Sequence, residues 1–177
     1  MQIPAALDRL IEEFSRFPGV GRKTAQRLAL SILRYTPVEI SNLTEALTQV
    51  KEKICFCSVC SGFTDTDPCS ICTNSERDQK QLCVVEQPNN IFPIENSRAY
   101  KGVYHVLMGA ISPLDGVGPQ QLNLLKLRSR INENNINELI LATNPTVKGE
   151  ATALFLQQEF SGKIPNITRL ACGIPAG

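Results

Sequence analysis

The sequence has little net charge and no long hydrophobic run. Its 177 residues carry a formal net charge of +1, with 18 Lys and Arg against 17 Asp and Glu. This balance excludes a globally basic surface, so any nucleic-acid contact must come from a local patch. No apolar run reaches the length that crosses a bilayer, and the start, MQIPAALDRLIEEF, lacks the pattern of a signal peptide. We therefore expect a cytoplasmic protein.

Internal repeats and low-complexity segments are also absent from the sequence. The chain instead divides into three regions that differ in composition and hydrophobic pattern. Residues 1–54 are predicted to be helical because apolar residues recur at helix spacing in three runs, with breaks at Pro18 and Pro37. Residues 55–76 hold five of the seven cysteines and are too short and polar to form an apolar core of their own.

The remainder of the chain has the pattern of an α/β domain. From Leu82 onward, the apolar runs LCVVE, YHVLMG, ELILAT and ITRLAC alternate with helical stretches such as EATALFLQQEF. Strands that alternate with helices predict βαβ units and a parallel sheet. Cys83, His105 and Cys172 fall in predicted strands, and we expect them to be core residues rather than metal ligands.

The cysteine cluster predicts a structural zinc site. Cys57-x2-Cys60 and Cys69-x2-Cys72 form two pairs, and two such turns can close one tetrahedral shell around Zn²⁺. Metal binding would replace the missing core of this segment. A redox pair or unrelated buried thiols are the alternatives, and two pairs at this separation favour zinc. Cys55 lacks the turn spacing and is interpreted as a bystander.

The stretch FPGVGRKT, residues 17–24, suggests a phosphate-binding loop but does not fit an ATPase. A Walker A loop needs G-x-x-x-x-G-K-[ST] after a strand. Here Lys23 comes one place late, Arg16 stands where the upstream glycine belongs, and the preceding segment is an amphipathic helix. The other interpretation is a helix, a short glycine hairpin and a second helix, whose first amides can meet a phosphate.

A local basic patch surrounds this hairpin. Between Glu13 and Glu39 the chain has no acidic residue, and its basic residues are Arg16, Arg22, Lys23, Arg27 and Arg34. Lys23 and Arg27 are four apart and share a helix face. Such contacts would hold a DNA backbone with little sequence preference. An ordinary helix connection with solvated charges is the alternative.

The order of these motifs resembles the bacterial recombination mediator RecR family along essentially the whole chain. The resemblance rests on FPGVG with AQRLAL, the four cysteines, CVVE, VLMG, SPLDGVGP and ATNPT-x-x-GEAT. It implies a mixed fold: an α-helical helix-hairpin-helix DNA-binding module at 1–54, a C4 zinc finger at 55–76 and an α/β Toprim domain with a parallel sheet at 77–172. Residues 173–177 would begin a truncated C-terminal tail.

The resemblance also implies a function in recombinational DNA repair. Members of the family bind double- and single-stranded DNA and act with the RecO and RecF proteins to direct recombinase loading at gapped DNA or DNA coated by single-strand-binding protein. A cytoplasmic, nucleoid-associated location and a ring-shaped homotetramer are implied too. This chain stops at GIPAG, where relatives continue with a tail that contributes to subunit contacts. A dimer is therefore the alternative expectation.

The resemblance also implies site residues, which we assign by matching each motif of the family to its position in this sequence. The DNA contacts map to Gly19, Gly21, Lys23 and Arg27, and the zinc ligands to Cys57, Cys60, Cys69 and Cys72. The Toprim acidic positions map to Glu86, Asp115 and Glu150, which follow predicted strands and would form a partner or DNA site.

Catalysis is not expected from this Toprim region. Enzymes with this domain combine a glutamate with an Asp-x-Asp pair that holds Mg²⁺. Here Asn144 and Thr146 stand at the acid pair, and Lys148 further lowers the local negative charge. We predict no catalytic residues and no Mg²⁺ cofactor, although weak metal binding at Glu86 stays open, as does a loop-capping role for each acid. A Mg²⁺-dependent Toprim nuclease and a pure interaction scaffold are the competing hypotheses.

Overall fold

The computed structural model describes residues 3–171. The chain forms two compact units, Met1–Glu52 and Lys53–Gly177. The predictions for Cys172 and for the tail at 173–177 lie outside the described residues.

Two helices joined by a short turn form the core of the first unit. Helices α1, Ala5–Ser15, and α2, Arg22–Ile32, pack through Ile11, Ala25 and Ala29, which are all buried. The alanines bring the two backbones close, because they add almost no side-chain volume at the contact. Phe14 and Val20 close the edges of this small core. The predicted helical N-terminal segment is confirmed.

Helix α3, Pro37–Lys53, begins at a well-formed cap. The Thr36 amide and hydroxyl donate to the Glu39 carboxylate at 2.7 and 2.9 Å, and the Glu39 amide donates back to the Thr36 hydroxyl at 3.3 Å. This reciprocal capping box, followed by proline at the first helical position, fixes where the helix starts. The backbone hydrogen bond from Thr36 also lowers the pKa of Glu39.

The second unit opens with the cysteine-rich segment. Strands β1, Cys55–Phe56, and β2, Phe63–Thr64, pair antiparallel, and a single helical turn, α4, covers Ser70–Thr73. Phe56 and Phe63 stack with ring centroids 5.5 Å apart. Regular structure is sparse here, so the cysteines themselves provide the buried cluster, with Val59 and Ile71 packed against it.

A four-stranded parallel sheet forms the rest of this unit. Its strands are β3, Asp78–Val85, β4, Gly102–Val106, β5, Glu138–Leu141, and β6, Asn166–Arg169, in the order β4-β3-β5-β6. All three strand pairs are parallel, which confirms the predicted sheet. The connections therefore run back over the faces of the sheet, as parallel pairing requires.

Helices cover both faces of this sheet. Helices α6, Leu124–Asn134, and α7, Val147–Phe160, pack on the face that carries Leu82 and Val84. The short helix α5, Ile91–Asn96, and Ile71 pack on the opposite face, which carries Cys83 and Val85. Neighbouring residues in the second half of β3 thus point to opposite cores, which explains why Leu82, Cys83, Val84 and Val85 form a continuous apolar run.

The cysteine-rich segment is joined to the sheet by specific hydrogen bonds. The Val106 amide at the end of β4 donates to the Cys60 carbonyl at 2.9 Å. The Asn123 amide group donates to the Ser61 hydroxyl at 2.8 Å, and Lys126 of α6 donates to the Ser58 carbonyl at 3.3 Å. The segment and the parallel sheet therefore belong to one folded unit.

Candidate nucleic-acid interface and metal centre

The turn between α1 and α2 forms a glycine hairpin. The Val20 amide donates to the Phe17 carbonyl at 3.0 Å, and Gly19 between them has a φ of +79°. This left-handed conformation favours glycine, because a Cβ there would strain the backbone. Gly21 then caps α2 without any side chain, so the first amides of the helix have no side-chain acceptor from the cap. Amides at a helix start, with the positive end of its dipole, are suited to a phosphate.

The predicted cations lie beyond this hairpin on the outer face of α2. Lys23 and Arg27 are exposed and one helical turn apart, and both line a groove of about 400 Å³. The inner face of the helix is fixed by Ala25 and Ala29 against α1. The structure thus brings Lys23 and Arg27 together, close in sequence to Gly21 at the start of the same helix.

The groove also contains a third cation that was not assigned as a contact from the sequence. Arg34 belongs to the basic patch but lies just past the end of α2, and it lines the groove together with Gln26, Leu30 and Ser31. The spacing of these residues along the helix, at three to four positions, is the signal that could have identified them.

The four predicted zinc ligands converge on one point. The Sγ atoms of Cys57, Cys60, Cys69 and Cys72 all lie within 4.8 Å of one another. The Cys60 and Cys69 sulfurs are 3.6 Å apart, and those of Cys57 and Cys72 are 3.9 Å apart. A tetrahedron with Zn–S bonds of about 2.3 Å has edges of about 3.8 Å, so this cluster has the size that Zn²⁺ requires.

Local backbone structure aims these sulfurs at a common centre. The Cys57 amide donates to the Gly62 carbonyl at 2.8 Å, and Ser61 takes a positive φ of 62°, which closes the first turn. The Gly62 and Cys69 amides then donate to the sulfurs of Cys60 and Cys57, each at 3.3 Å. Amide donors favour the thiolate form, which is the form that binds a metal.

The electrostatics of the cluster also fit a cation. Hydrogen bonding, first from the Cys72 thiol, lowers the pKa of Cys60 to about 5. Burial raises the pKa of Cys69 to about 11. The pKa of Cys72 is raised by its hydrogen bond with Cys60 and, second, by burial. A divalent cation at the centre of the cluster would stabilise the thiolate form of these side chains. The donor set fits structural zinc and leaves no fifth ligand among the cysteines that the structure describes.

The other described cysteines and the histidine lie outside this cluster. Cys55 is exposed in β1 and is not a member of the four-sulfur group. Cys83 is buried in β3, and burial raises the pKa of its thiol to about 12. His105 is buried in β4, where its Nε2 lies 2.9 Å from the Asn123 carbonyl, while Nδ1 has no hydrogen-bond partner among the described residues.

Glu86, the first Toprim acid, follows β3 and is held by an amide side chain. Its two carboxylate oxygens accept from the Asn144 backbone amide at 2.8 Å and from Asn144 Nδ2 at 2.6 Å. Gly149 stands against this pair, since a Cβ there would lie 2.7 Å from Glu86 Oε1 and 2.0 Å from the Asn144 carbonyl oxygen. Asn144 therefore supplies donors to Glu86 at a position where enzymes with this domain have an acid.

Asp115 and Glu150 are each paired with a basic side chain. Asp115, in the loop after β4, accepts from Lys148, and that hydrogen bond lowers the pKa of the carboxyl. Glu150, in the first turn of α7, accepts from the two terminal guanidinium nitrogens of Arg169, each at 2.6 Å, and these hydrogen bonds lower the pKa of its carboxyl as well. Among residues 3–171, only the four cysteines form a group of side chains close enough to bind one metal ion together. The three acids thus have separate partners, an amide for Glu86 and a cation for each of the other two.

None of the helices in the described part of the chain combines the length and the apolar character needed to cross a membrane.

Comparison with known proteins matches three successive parts of the chain to family models. Residues 7–51 match the family described as "RecR, helix-hairpin-helix", residues 54–74 match the RecR zinc finger domain with four cysteine ligands, and residues 80–171 match "Toprim domain". A protein named "Recombination protein RecR" from Moorella thermoacetica (strain ATCC 39073 / JCM 9320) is 45% identical over 177 residues, which is 100% of this chain and 89% of that protein. The mixed fold and the structural zinc predicted from the sequence are confirmed, and the chain belongs to the RecR family of recombination proteins.

Proposed function

We propose that this chain is a non-catalytic, DNA-binding mediator of recombinational repair that acts with RecO and RecF to direct recombinase loading at gapped or protein-coated DNA. Membership of the RecR family supports the recombination role. The observation that carries the DNA-binding part is the groove on α2, where exposed cations lie beside a glycine hairpin.

The hairpin would bind the sugar–phosphate backbone. Gly19 and Gly21 keep side chains away from the approach to the first amides of α2, while Lys23 and Arg27 add positive charge on the same helix. Contacts of this type are electrostatic and independent of sequence, so binding should weaken steeply with salt. They suit a protein that must act wherever a gap occurs.

The zinc site would be structural. Cys57, Cys60, Cys69 and Cys72 would hold the ion, which would cross-link two turns that have almost no regular structure between them. All four positions of a tetrahedral shell would be filled by sulfur, so no position remains for a substrate or water. The ion would contribute folding free energy to the segment that contacts β4.

The Toprim sheet would serve as a docking surface rather than a catalytic site. Glu86 is satisfied by Asn144, and Asp115 and Glu150 are each paired with a cation, so the carboxylates do not share a metal position. Asp115 and Glu150 are exposed at the carboxyl edge of the sheet and would form the partner site, with Glu86 fixing the loop that carries Asn144. A cytoplasmic, nucleoid-associated location would follow from this role.

Several copies are needed if each DNA contact is weak. We propose a homo-oligomer, a tetrameric ring or, for this chain, a dimer, because helix α3 exposes a regular apolar stripe. Linking several weak sites raises overall affinity without new contacts.

The DNA-binding proposal is tested with a charge-matched pair of double variants. Lys23→Ala with Arg27→Ala should lower affinity for a labelled oligonucleotide. It should also reduce the slope of log affinity against log salt by the amount expected for the loss of about two phosphate contacts. Lys51→Ala with Lys53→Ala removes the same charge near the end of α3 and should leave both unchanged. Equal binding by the first pair and the wild type would support an interaction scaffold instead.

The non-catalytic proposal is tested on gapped and supercoiled DNA with Mg²⁺. We expect no turnover by the zinc-loaded protein. Cleavage that Glu86→Gln abolishes would show that the Toprim region is a nuclease.

A further inference from the structure

We propose that the nucleic-acid contact extends along the whole outer face of α2, with Arg34 as a third phosphate-binding cation, and that Arg16 and Arg22 take no part in it. This inference rests on the proposed DNA-binding function and assigns its ligand set more narrowly. It divides the five basic residues of the patch into two groups that differ in their ion pairing and in their position relative to the groove.

The division comes from ion pairing. Arg16 donates to Glu13 at 2.9 Å, and Arg22 donates to Asp8 at 3.1 Å, so each already faces a carboxylate. By contrast, the side chains of Lys23, Arg27 and Arg34 have no hydrogen bond or ion pair with any residue that the structure describes. A phosphate that approached Arg16 or Arg22 would meet the neighbouring carboxylate as well, and the like charges would repel.

The three remaining cations lie along one groove. Lys23, Arg27 and Arg34 line the same groove of about 400 Å³, at spacings of four and seven residues. A helix rises about 1.5 Å per residue, so the part of α2 from Lys23 to Ile32 is about 13.5 Å long, and Arg34 lies beyond its end. This length is enough to follow several phosphates of one strand, which a hairpin contact at the start of the helix alone would not do.

The floor between the cations suits a sugar–phosphate strand. Leu30 lies between Arg27 and Arg34 and is 45% exposed, and Gln26 and Ser31 add neutral polar groups. The groove therefore presents an apolar strip for deoxyribose or a base face, with cations beside it and no acidic residue in its lining. The geometry indicates a nucleic-acid strand, bound mainly through its backbone.

The test compares variants that each remove one positive charge from the same unit. Binding of fluorescein-labelled single-stranded and duplex oligonucleotides is measured by anisotropy across a salt series, on the full chain loaded with zinc. Arg34→Ala should weaken binding several-fold and lower the slope of log affinity against log salt by about 0.9 for duplex and about 0.7 for single strands. Arg16→Ala and Arg22→Ala should leave the slope at the wild-type value. Arg34→Lys should retain it, since the charge is kept.

The outcomes separate this inference from the function on which it rests. Arg34 is exposed beyond the end of α2, so circular dichroism should show unchanged helix content in Arg34→Ala. A wild-type salt slope for Arg34→Ala, or an equal drop in slope for Arg16→Ala, would overturn the extended contact. If Lys23→Ala with Arg27→Ala still lost binding in that case, the hairpin function would stand. No loss in any of these variants would overturn both.

Discussion

At the scale of single residues, the substitution of an amide for an acid changes what Glu86 can do. An aspartate at position 144 would place a second carboxylate against Glu86, and the two negative charges would need a cation between them. Asn144 instead donates twice, through its backbone amide and its side chain, at 2.8 and 2.6 Å. The same geometry that would position a metal ligand therefore produces a closed hydrogen-bonded pair.

His105 shows a different consequence of a single buried side chain. It is fully buried, its Nε2 can donate to the Asn123 carbonyl at 2.9 Å, and its buried Nδ1 has no partner among the described residues. Burial lowers its pKa to about 4, and the positive charges of Arg130 and Lys126 act in the same direction. The neutral ring therefore fits the site, and the protonated ring does not.

This burial predicts a pH-dependent stability. In the unfolded chain His105 would titrate near pH 6.5, so between about pH 6.5 and 4 the unfolded state binds a proton that the folded state does not. The contribution is fully present above this window and is lost as the pH falls toward 4. We expect the free energy of unfolding to fall by about 2 kcal/mol between about pH 7 and pH 5 from this residue. Urea titrations of the zinc-loaded protein at several pH values measure it.

The matched variant is His105→Gln, which keeps a side-chain donor but does not titrate. Its unfolding free energy should change less over the same pH interval, whatever its absolute stability. Identical pH profiles for the two proteins would show that His105 is not the group responsible.

At the scale of elements, the zinc segment and strand β4 depend on each other. Val106 ends β4 with a hydrogen bond to the Cys60 carbonyl, and Ser61 accepts from Asn123 just before α6. Ile71 belongs to the edge of both the cysteine cluster and the core beneath α5. Loss of the ion should therefore loosen the sheet at this point as well as the segment itself.

Zinc removal tests this coupling. After chelation, hydrogen exchange should accelerate at the amides of Gly62 and Val106, because the structure that protects both depends on the cysteine turns. Amides of α1 and α2 lie in the other unit and should keep their protection. Cys60→Ser should reproduce the effect without chelator, whereas Cys55→Ser should keep one zinc per chain. Unchanged exchange at Val106 in zinc-free protein would contradict the coupling.

The elements also show which features the sequence could predict. Periodicity and the breaks at Pro18 and Pro37 located the three N-terminal helices, and cysteine spacing located the metal site, because both signals are local. Helix α5 was not predicted. It is six residues long and contains Pro93, so packing of Ile91 and Ile94 on the sheet, rather than helix propensity, stabilises it.

Two other features depend on contacts between distant residues. The run YHVLMG predicted a strand, but β4 begins two residues earlier at Gly102, where a Cβ would lie 2.6 Å from the Gln81 carbonyl oxygen of the neighbouring strand β3. The positions of the three Toprim acids followed from the resemblance. Their pairing with Asn144, Lys148 and Arg169 did not, because those partners are 19 to 58 residues away in the chain.

At the scale of the whole molecule, helix α3 carries an association signal. Ile40, Leu43, Leu47 and Val50 recur at alternating spacings of three and four, which is the pattern of a coiled-coil seam. No residue of α3 is buried, and Leu47 and Val50 are 61% and 64% exposed. A helix with such a stripe is stabilised when a second apolar surface covers it, and a second copy of the same helix has the matching repeat.

Assembly and DNA affinity should therefore change together. Leu47→Asp places a charge in the stripe and should shift the sedimentation mass toward a smaller species, while Ser41→Asp adds the same charge outside the stripe and should not. Because multivalent binding multiplies weak contacts, Leu47→Asp should also lower affinity for long DNA by at least about tenfold, with little change for an oligonucleotide that spans one groove. Wild-type mass in Leu47→Asp would exclude α3 from the assembly interface. Wild-type protein that is monomeric with and without DNA would exclude the ring, and each hairpin would then bind DNA singly.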